Sequence, residues 1–328
     1  RLMATYKEIH GTVIETVTSD PSNPVNGQVW YNSTDQVLKG FTSNPAGAWS
    51  TSGNLNTARK SLEGTGASNT AAIAFGGTAN PPIYALTEIY NGSAWTEVAD
   101  LNVGRTSMGA AGTSTAALGF GGYNGTARVA SNETWNGSSW TETGDLNTAR
   151  SDLAAAVAGT STSTQGTGGY STTYVAINES WNGSAWTEVG DLNSARYSMA
   201  GSGTTTSALV FGGYSTAQQA LTESWNGSAW SEVADISTRY NLGGTGTSNT
   251  SALAFGGQPG TGGSSGKTEE WTGSSWTELN DLNTVRVGLG GAGTTESALA
   301  FGGEGPPTLA STEEWAVPAL TTVTFTVS

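Results

Sequence analysis

The stretch WNGSAWTEVGDLNSAR, residues 181–196, decides the fold because relatives of it recur along most of the chain. Each relative ends in an arginine, and successive arginines are separated by 43 to 47 residues. These arginines are Arg59, Arg105, Arg150, Arg196, Arg239 and Arg286. A repeat of this length is typical of propellers and solenoids, in which each supersecondary unit buries its faces against its neighbours.

The segment WNGSAW at 181–186 predicts a β-hairpin. Asn-Gly readily supplies the positive φ that a tight turn needs, and the two tryptophans at its ends are placed to pack across the two strands. The same pattern occurs in other copies, for example WNGSSW at 135–140. Each copy therefore marks two antiparallel strands.

Two more strands precede each hairpin. After the arginine comes a strand of small residues, then an apolar strand that usually ends in Phe-Gly-Gly, and then a loop that varies between repeats. In SALAF at 251–255, Leu253 and Phe255 fall on one face and two alanines on the other, because side chains alternate along a strand. A strand with one bulky face and one thin face favours closely stacked sheets. The third repeat has Thr167 where the others have phenylalanine.

We therefore predict an all-β fold, a β-propeller of four-stranded blades. Seven blades are favoured, after an N-terminal arm at 1–11, within a propeller spanning 12–328. Their approximate bounds are 12–55, 59–101, 105–146, 150–192, 196–236, 239–282 and 286–328. In a six-bladed alternative, residues 1–55 form a separate element or donate a closing strand to the last blade. Either ring must close, because open strand edges and apolar faces are otherwise exposed.

Composition excludes several classes of function. The chain has no cysteine, one histidine and a net charge of −14. Disulfides and thiolate metal sites are excluded, and most histidine chemistry is removed, so we expect no metal and no cofactor. The negative charge disfavours nucleic acid and anionic membranes as partners. No run of 18 apolar residues predicts membrane insertion, and the N-terminus lacks a signal-peptide core, so synthesis in the cytoplasm is expected.

The repeated arginines and tryptophans have a structural and a functional interpretation. The arginines could brace each blade against neighbouring acids, or grip an anionic ligand. We favour the brace, with the acids Asp100, Asp145, Asp191, Asp235 and Asp281 as partners. The tryptophans could stack on sugars, but their repetition favours packing between blades. Those concerned are Trp140, Trp186, Trp230 and Trp276.

Recognition is expected in the variable loops, because function on a repeated scaffold usually lies where the repeats differ. The alternative is that these loops only cover blade edges. The candidate ligand-binding residues are Tyr84, Tyr123, Arg128, Tyr170, Tyr174 and Tyr214. No catalytic residue is predicted: the adjacent pairs Glu269/Glu270 and Glu313/Glu314 point to opposite faces of a strand, so spacing alone does not make them an acid/base pair.

Two resemblances extend this interpretation. The order of arginine, small strand, Gly-Gly strand, acidic residue, aromatic residue, turn and tryptophan over about 59–315 is similar to the kelch repeat, with Trp-Asn where kelch units commonly have Tyr-Asp. The opening SDPSNPVNGQVWYNSTDQVLKGF, residues 19–41, resembles segments near the starts of fibre and appendage proteins of marine tailed phages.

These resemblances imply a non-enzymatic virion protein, a tail-fibre or appendage component whose propeller acts as an adhesin in receptor binding. Its N-terminal region would bind other virion proteins, and its loops a host-surface glycan or protein. Two alternatives stay open: a capsid or tail decoration protein that contacts only other virion proteins, and a glycan-active hydrolase or lyase.

Overall fold

The computed structural model describes residues 14–21, 28–41, 47–79, 81–318 and 322–325, and all regular structure in them is β-strand. None of the described residues forms a helix long and apolar enough to span a membrane. The chain divides into two compact units, Ala48–Ala316 and a smaller one made of Arg1–Gly47 and Val317–Ser328. The predicted arm at 1–11 lies outside the described residues.

The smaller unit contains one four-stranded sheet. Its strands are β1 (Glu15–Val17), β2 (Val29–Asn32), β3 (Val37–Phe41) and β30 (Thr322–Phe325), in the order β1-β2-β3-β30. β1 runs parallel to β2, and the other pairs are antiparallel. Trp30 is completely buried here and donates its indole N–H to Asp20 at 3.0 Å.

The larger unit contains six four-stranded antiparallel sheets, numbered here as blades 1 to 6. Blade 1 is β5 (Glu63–Ser68), β6 (Ala71–Phe75), β7 (Thr87–Tyr90) and β8 (Trp95–Glu97). Blade 2 is β9 (Gly109–Thr113), β10 (Ala116–Phe120), β11 (Asn132–Trp135) and β12 (Trp140–Thr143). Blade 3 is β13 (Ala154–Ala155), β14 (Thr164–Thr167), β15 (Asn178–Trp181) and β16 (Trp186–Glu188).

The remaining blades have the same four-strand order, but a short strand pair lies beside blade 5, and blade 6 takes its fourth strand from the start of the unit. Blade 4 is β17 (Ala200–Thr204), β18 (Ser207–Phe211), β19 (Thr222–Trp225) and β20 (Trp230–Val233). Blade 5 is β22 (Gly243–Ser248), β23 (Ser251–Phe255), β25 (Thr268–Trp271) and β26 (Trp276–Glu278), with the short pair β21 (Arg239–Tyr240) and β24 (Gln258–Pro259) beside it. Blade 6 is β27 (Gly290–Gly293), β28 (Ser297–Phe301), β29 (Thr312–Ala316) and β4 (Ala48–Ser52).

The blades form a closed ring. Their first strands β5, β9, β13, β17, β22 and β27 contact one another in succession, and β27 contacts β5. The predicted propeller of four-stranded blades is therefore confirmed. The described residues form seven four-stranded sheets, of which six make up the ring and the seventh belongs to the smaller unit. The ring itself corresponds to the six-bladed alternative.

The predicted first blade required residues 12–55 to form one sheet. They do not. β4 pairs antiparallel with β29 and places Trp49 opposite Trp315, whereas β1, β2 and β3 pair elsewhere. The physical reason is visible in the last repeat, which has Trp315 but no second hairpin tryptophan after it. Trp49 supplies that side chain. The C-terminal strand expected in the last blade, β30, pairs with β3 instead.

Neighbouring blades pack through aromatic pairs. The phenylalanine of Phe-Gly-Gly lies against the hairpin tryptophan of the next blade, with ring centroids 4.8 to 5.0 Å apart. The five pairs are Phe75–Trp140, Phe120–Trp186, Phe211–Trp276, Phe255–Trp49 and Phe301–Trp95. Blade 3 has Thr167 in place of the phenylalanine, so Trp230 of blade 4 lacks this contact. Of the tryptophans named from sequence, Trp140, Trp186 and Trp276 thus pack between blades through these pairs, and Trp230 lies in a buried cluster that includes Ala154 of blade 3.

The pairing of the closing strand β4 can be tested by cross-linking with introduced cysteines, since the natural chain contains none. Ala48 and Ala316 are opposite each other in the β4–β29 ladder and both are exposed. We expect the variant Ala48→Cys/Ala316→Cys to form a disulfide on mild oxidation and to gain up to about 5 kcal/mol of stability against urea, because the bond closes a long loop in the unfolded chain. A faster-migrating band on a non-reducing gel reports the bond.

The matched control is Ala48→Cys/Ala185→Cys, which pairs the same position with an exposed alanine in the hairpin turn of blade 3. This control should stay reduced under the same conditions. Failure of the Ala48/Ala316 pair to cross-link in the folded protein would contradict closure by β4.

Candidate functional site

The six repeated arginines are enclosed within the ring unit. Each is at most 1% exposed, and each forms an ion pair with a buried glutamate on the third strand of the following blade. The pairs are Arg59–Glu88, Arg105–Glu133, Arg150–Glu179, Arg196–Glu223, Arg239–Glu269 and Arg286–Glu313. Burial lowers the pKa of Arg239 to about 10, against the opposing field of Glu269. The guanidinium groups are therefore not presented on a surface.

Each glutamate is also bound by the loop that precedes it in the chain. In the joint between blades 3 and 4, Asn193 donates its backbone and side-chain N–H groups to Glu223, both at 2.8 Å, and its side chain also donates to the Trp230 carbonyl. The Leu-Asn loops of four other joints make the same contacts, and Ser237 replaces asparagine in the joint to blade 5. We call each set of arginine, glutamate and asparagine or serine a joint clamp.

The prediction that aspartates are the partners of the arginines is wrong. The aspartates form no ion pair within 4.0 Å of these arginines; the carboxylates that do are the glutamates of the third strands. Asp100, Asp145, Asp191 and Asp281 instead accept the backbone N–H of the first residue of a third strand. These aspartates are held by the strand backbone, whereas the glutamates of the third strands lie directly against the buried guanidinium groups.

The joint clamp predicts a large loss of stability when its charge balance is broken. Arg196→Met leaves the carboxylate of Glu223 buried without its cation, and we expect a cost of about 3–5 kcal/mol in urea unfolding. The control is Lys267→Met, which removes a cation from a pair whose glutamate, Glu278, is 63% exposed; this should cost much less stability, because solvent screens an exposed pair. Similar small losses in both variants would contradict the role of the clamp.

A closed circle of backbone hydrogen bonds surrounds the ring axis. The residue two positions after each repeated arginine donates its N–H to the carbonyl of the equivalent residue in the preceding blade, at 2.7 to 2.9 Å. All six have φ between 50° and 60°, in the left-handed region. The residues are Ser61, Ser107, Asp152, Ser198, Asn241 and Gly288. This circle, the axial circle, fixes the first strands at one distance from the axis.

The axial cavity lined by the residues of this circle holds two carboxyl groups. A space of about 50 Å³ is lined by Glu63 and by Asp152, together with serine and leucine side chains. Glu63 is exceptional, because the equivalent position of the other first strands is glycine or alanine. Burial raises the pKa of Glu63 well above its usual range, and the charge of Asp152 adds to this. Burial also raises the pKa of Asp152, opposed by the Ser151 hydroxyl and Arg128.

Glu63 therefore opposes folding at neutral pH. The unfolded carboxyl is ionised above its usual pKa of 4.5, whereas the folded one resists ionisation, so the wild type is weakened relative to an uncharged variant. We expect Glu63→Gln to be more stable in urea at pH 7, with the difference disappearing below about pH 4, where the carboxyl is protonated in both states. The exposed Glu97→Gln is the control. A difference that does not change with pH would contradict this assignment.

Four tyrosines form a continuous row beside the axial circle. Ring centroids are 5.3 Å apart for Tyr170–Tyr197, 5.6 Å for Tyr197–Tyr214 and 5.3 Å for Tyr214–Tyr240. Each tyrosine follows either a repeated arginine or a Gly-Gly pair, and all four are partly exposed. Backbone bridges between these two positions hold the residues in place, as between Tyr197 and Tyr214. We call this row the tyrosine arc.

Arg128 extends the arc at one end. Its guanidinium carbon lies 4.3 Å from the centroid of the Tyr170 ring, within the range of a cation–π contact. The side chain is exposed, but its loop is a tight turn in which Asn124 accepts the backbone N–H groups of Thr126 and Ala127. A backbone bridge from Tyr123 to Arg128 closes the turn.

The structure brings together three of the six residues proposed from sequence, namely Arg128, Tyr170 and Tyr214. Tyr174 forms a backbone bridge to Tyr170, and Tyr123 lines a separate open groove with Pro81 and Ile83. Within the described residues, no ring contact joins Tyr84 to the arc.

Sequence reasoning missed Tyr197 and Tyr240. Both directly follow a repeated arginine, and the other four repeats have lysine, threonine, serine or valine there. A comparison of the six repeats at that position would have found them.

The paired glutamates point as the sequence predicts, to different environments. Glu269 and Glu313 are buried in joint clamps, while Glu314 accepts the hydroxyls of Tyr90 and Ser52. No group of three or more potential metal ligands occurs among the described residues. No protein-family model matches the chain, and no curated protein matches it significantly.

Proposed function

We propose that the protein is a non-enzymatic binding protein whose propeller presents the tyrosine arc for recognition of a surface glycan or protein. The observation that supports this proposal is the arc itself. Four partly exposed aromatic rings stand in one row on a rigid scaffold, and Tyr and Arg are among the side chains enriched at recognition surfaces. Rigid placement also lowers the ordering cost of binding.

The position of the arc supports the same proposal. The repeats are nearly alike where they build joint clamps and differ where they carry the arc, because only blades 3 to 5 contribute tyrosines to it. An arrangement needed only for packing would be expected in all six blades. Variation on a fixed frame is typical of binding surfaces.

We further propose that the protein is carried on a phage particle, as an appendage or fibre component that binds the host surface, with its N-terminal region contacting other virion proteins. This part of the proposal rests on the resemblance of residues 19–41. Two alternative proposals have less support: a decoration protein that contacts only virion proteins, and a glycan-active hydrolase or lyase. Neither has a side-chain arrangement in its favour comparable with the arc.

The test is binding of fluorescently labelled protein to a panel of marine bacterial cells. We expect saturable binding to at least one strain, and a loss of about tenfold or more in affinity for Tyr197→Ala/Tyr214→Ala, since two adjacent rings of the arc are removed. Tyr31→Ala is the matched control, because Tyr31 is an exposed tyrosine of the smaller unit.

Three results would contradict the proposal. Absence of binding to every strain, with binding to purified virion proteins, would favour the decoration protein. Release of reducing sugar from the bound surface would favour the hydrolase or lyase. Unchanged binding by the double tyrosine variant would exclude the arc as the recognition surface.

A further inference from the structure

Arg128 differs from every other cation in the described residues. The other nine described lysine and arginine side chains each lie within 4.0 Å of a carboxylate. Arg128 has no such partner there, although the chain carries a net charge of −14. Its field reaches Asp152, but the two side chains form no ion pair. In a protein with an excess of acids, a cation without an ion pair is available for an anionic group from outside.

The surroundings of Arg128 hold it in one place. The turn at 124–127 is closed by the hydrogen bonds of Asn124, and the ring of Tyr170 lies beneath the guanidinium group. A guanidinium group over an aromatic face keeps its edge N–H groups free to donate. Arg128 can therefore bind a carboxylate, sulfate or phosphate oxygen in the bidentate geometry that arginine favours.

The tyrosine arc leads away from this cation. Its rings follow one another at 5.3 to 5.6 Å, a spacing comparable with the length of one pyranose residue in an extended chain. The partly exposed rings combine apolar edges with hydroxyl groups, which suits the mixed C–H and O–H surface of a sugar. Their backbones are already paired, as in the Tyr197–Tyr214 and Tyr240–Gln258 bridges. No strand edge is therefore offered there for an added peptide strand.

We infer that this surface binds a glycan with one acidic sugar followed by neutral sugars, the anionic group on Arg128 and the neutral sugars along the tyrosine arc. The inference deepens the proposed function and rests on it. One unpaired cation matches one anionic group, and the net negative charge of the protein would repel a continuous polyanion.

The experiment measures binding by isothermal titration calorimetry with defined oligosaccharides. The probes are 3′-sialyllactose and a xylo-oligosaccharide with one glucuronic acid, each with its methyl ester. Lactose 3′-sulfate separates a sulfate source of charge from a carboxylate source. Polygalacturonate represents a polyanion, and a short alanine peptide with one glutamate represents an acidic peptide.

We expect at least one singly charged glycan to bind about tenfold or more tightly than its neutral counterpart. Arg128→Gln should abolish that preference while leaving weak binding of the neutral form, and Arg128→Lys should recover part of it. Tyr197→Ala/Tyr214→Ala should weaken both forms. Lys267→Gln, which removes a paired cation, is the control for total charge. Arg128 is exposed, so unchanged thermal unfolding verifies that the variant is folded.

The outcomes separate the inference from the proposed function. If cells are bound but no singly charged glycan is preferred, or if Arg128→Gln keeps the preference, the inference is wrong and the proposed function stands. If neither cells nor any glycan is bound, both are wrong. Equal or tighter binding of the peptide or of polygalacturonate would overturn the choice of a singly charged glycan.

Discussion

The buried ion pair between arginine and glutamate is the interaction on which the ring depends. Two opposite charges out of water are costly unless close geometry and further hydrogen bonds offset the loss of hydration. The Leu-Asn loops supply such bonds to the carboxylate by donating two N–H groups to the same glutamate, as Asn193 does to Glu223. In each clamp the loop residue and the arginine thereby bind a strand glutamate that lies 27 to 32 residues later in the sequence.

Closure uses segments from opposite parts of the chain. β29 pairs with β4, and in the smaller unit β30 pairs with β3. Trp49 then takes every contact of a hairpin tryptophan: it lies opposite Trp315, packs on Phe255 and donates its indole N–H to Thr268. Asn283 even reaches the Trp49 carbonyl as part of the last clamp. Ring closure is thus completed by the same side-chain rules as every other joint.

The sequence predicts the parts of this fold that repeat and fails where a single copy decides. The WNGSAW hairpins, the Phe-Gly-Gly strands and the packing of the tryptophans follow from local patterns, since strand alternation and turn chemistry are short-range. Assignment of Trp49 to the last blade requires pairing over more than 260 residues, for which local pattern gives no signal. Whether glutamate or aspartate pairs with the arginine depends on how deeply each carboxylate lies in the blade, which the local sequence does not show. Tyr197 and Tyr240 stand out only in an alignment of the six repeats, because the position after each repeated arginine has no local sequence pattern in common.

The separation of frame and surface explains where recognition can evolve on this ring. The joint clamps and the axial circle occupy fixed repeat positions, and a change there removes a buried hydrogen bond or leaves a buried charge. The residue after each arginine and the residue after each Gly-Gly lie beside the axial circle and differ between blades: they are lysine, threonine, serine, tyrosine, valine, glutamine or glutamate. These twelve positions are held rigidly by backbone bridges while their chemistry varies. The tyrosine arc occupies four of them, so the frame sets its geometry while the side chains at these positions are free to differ between blades.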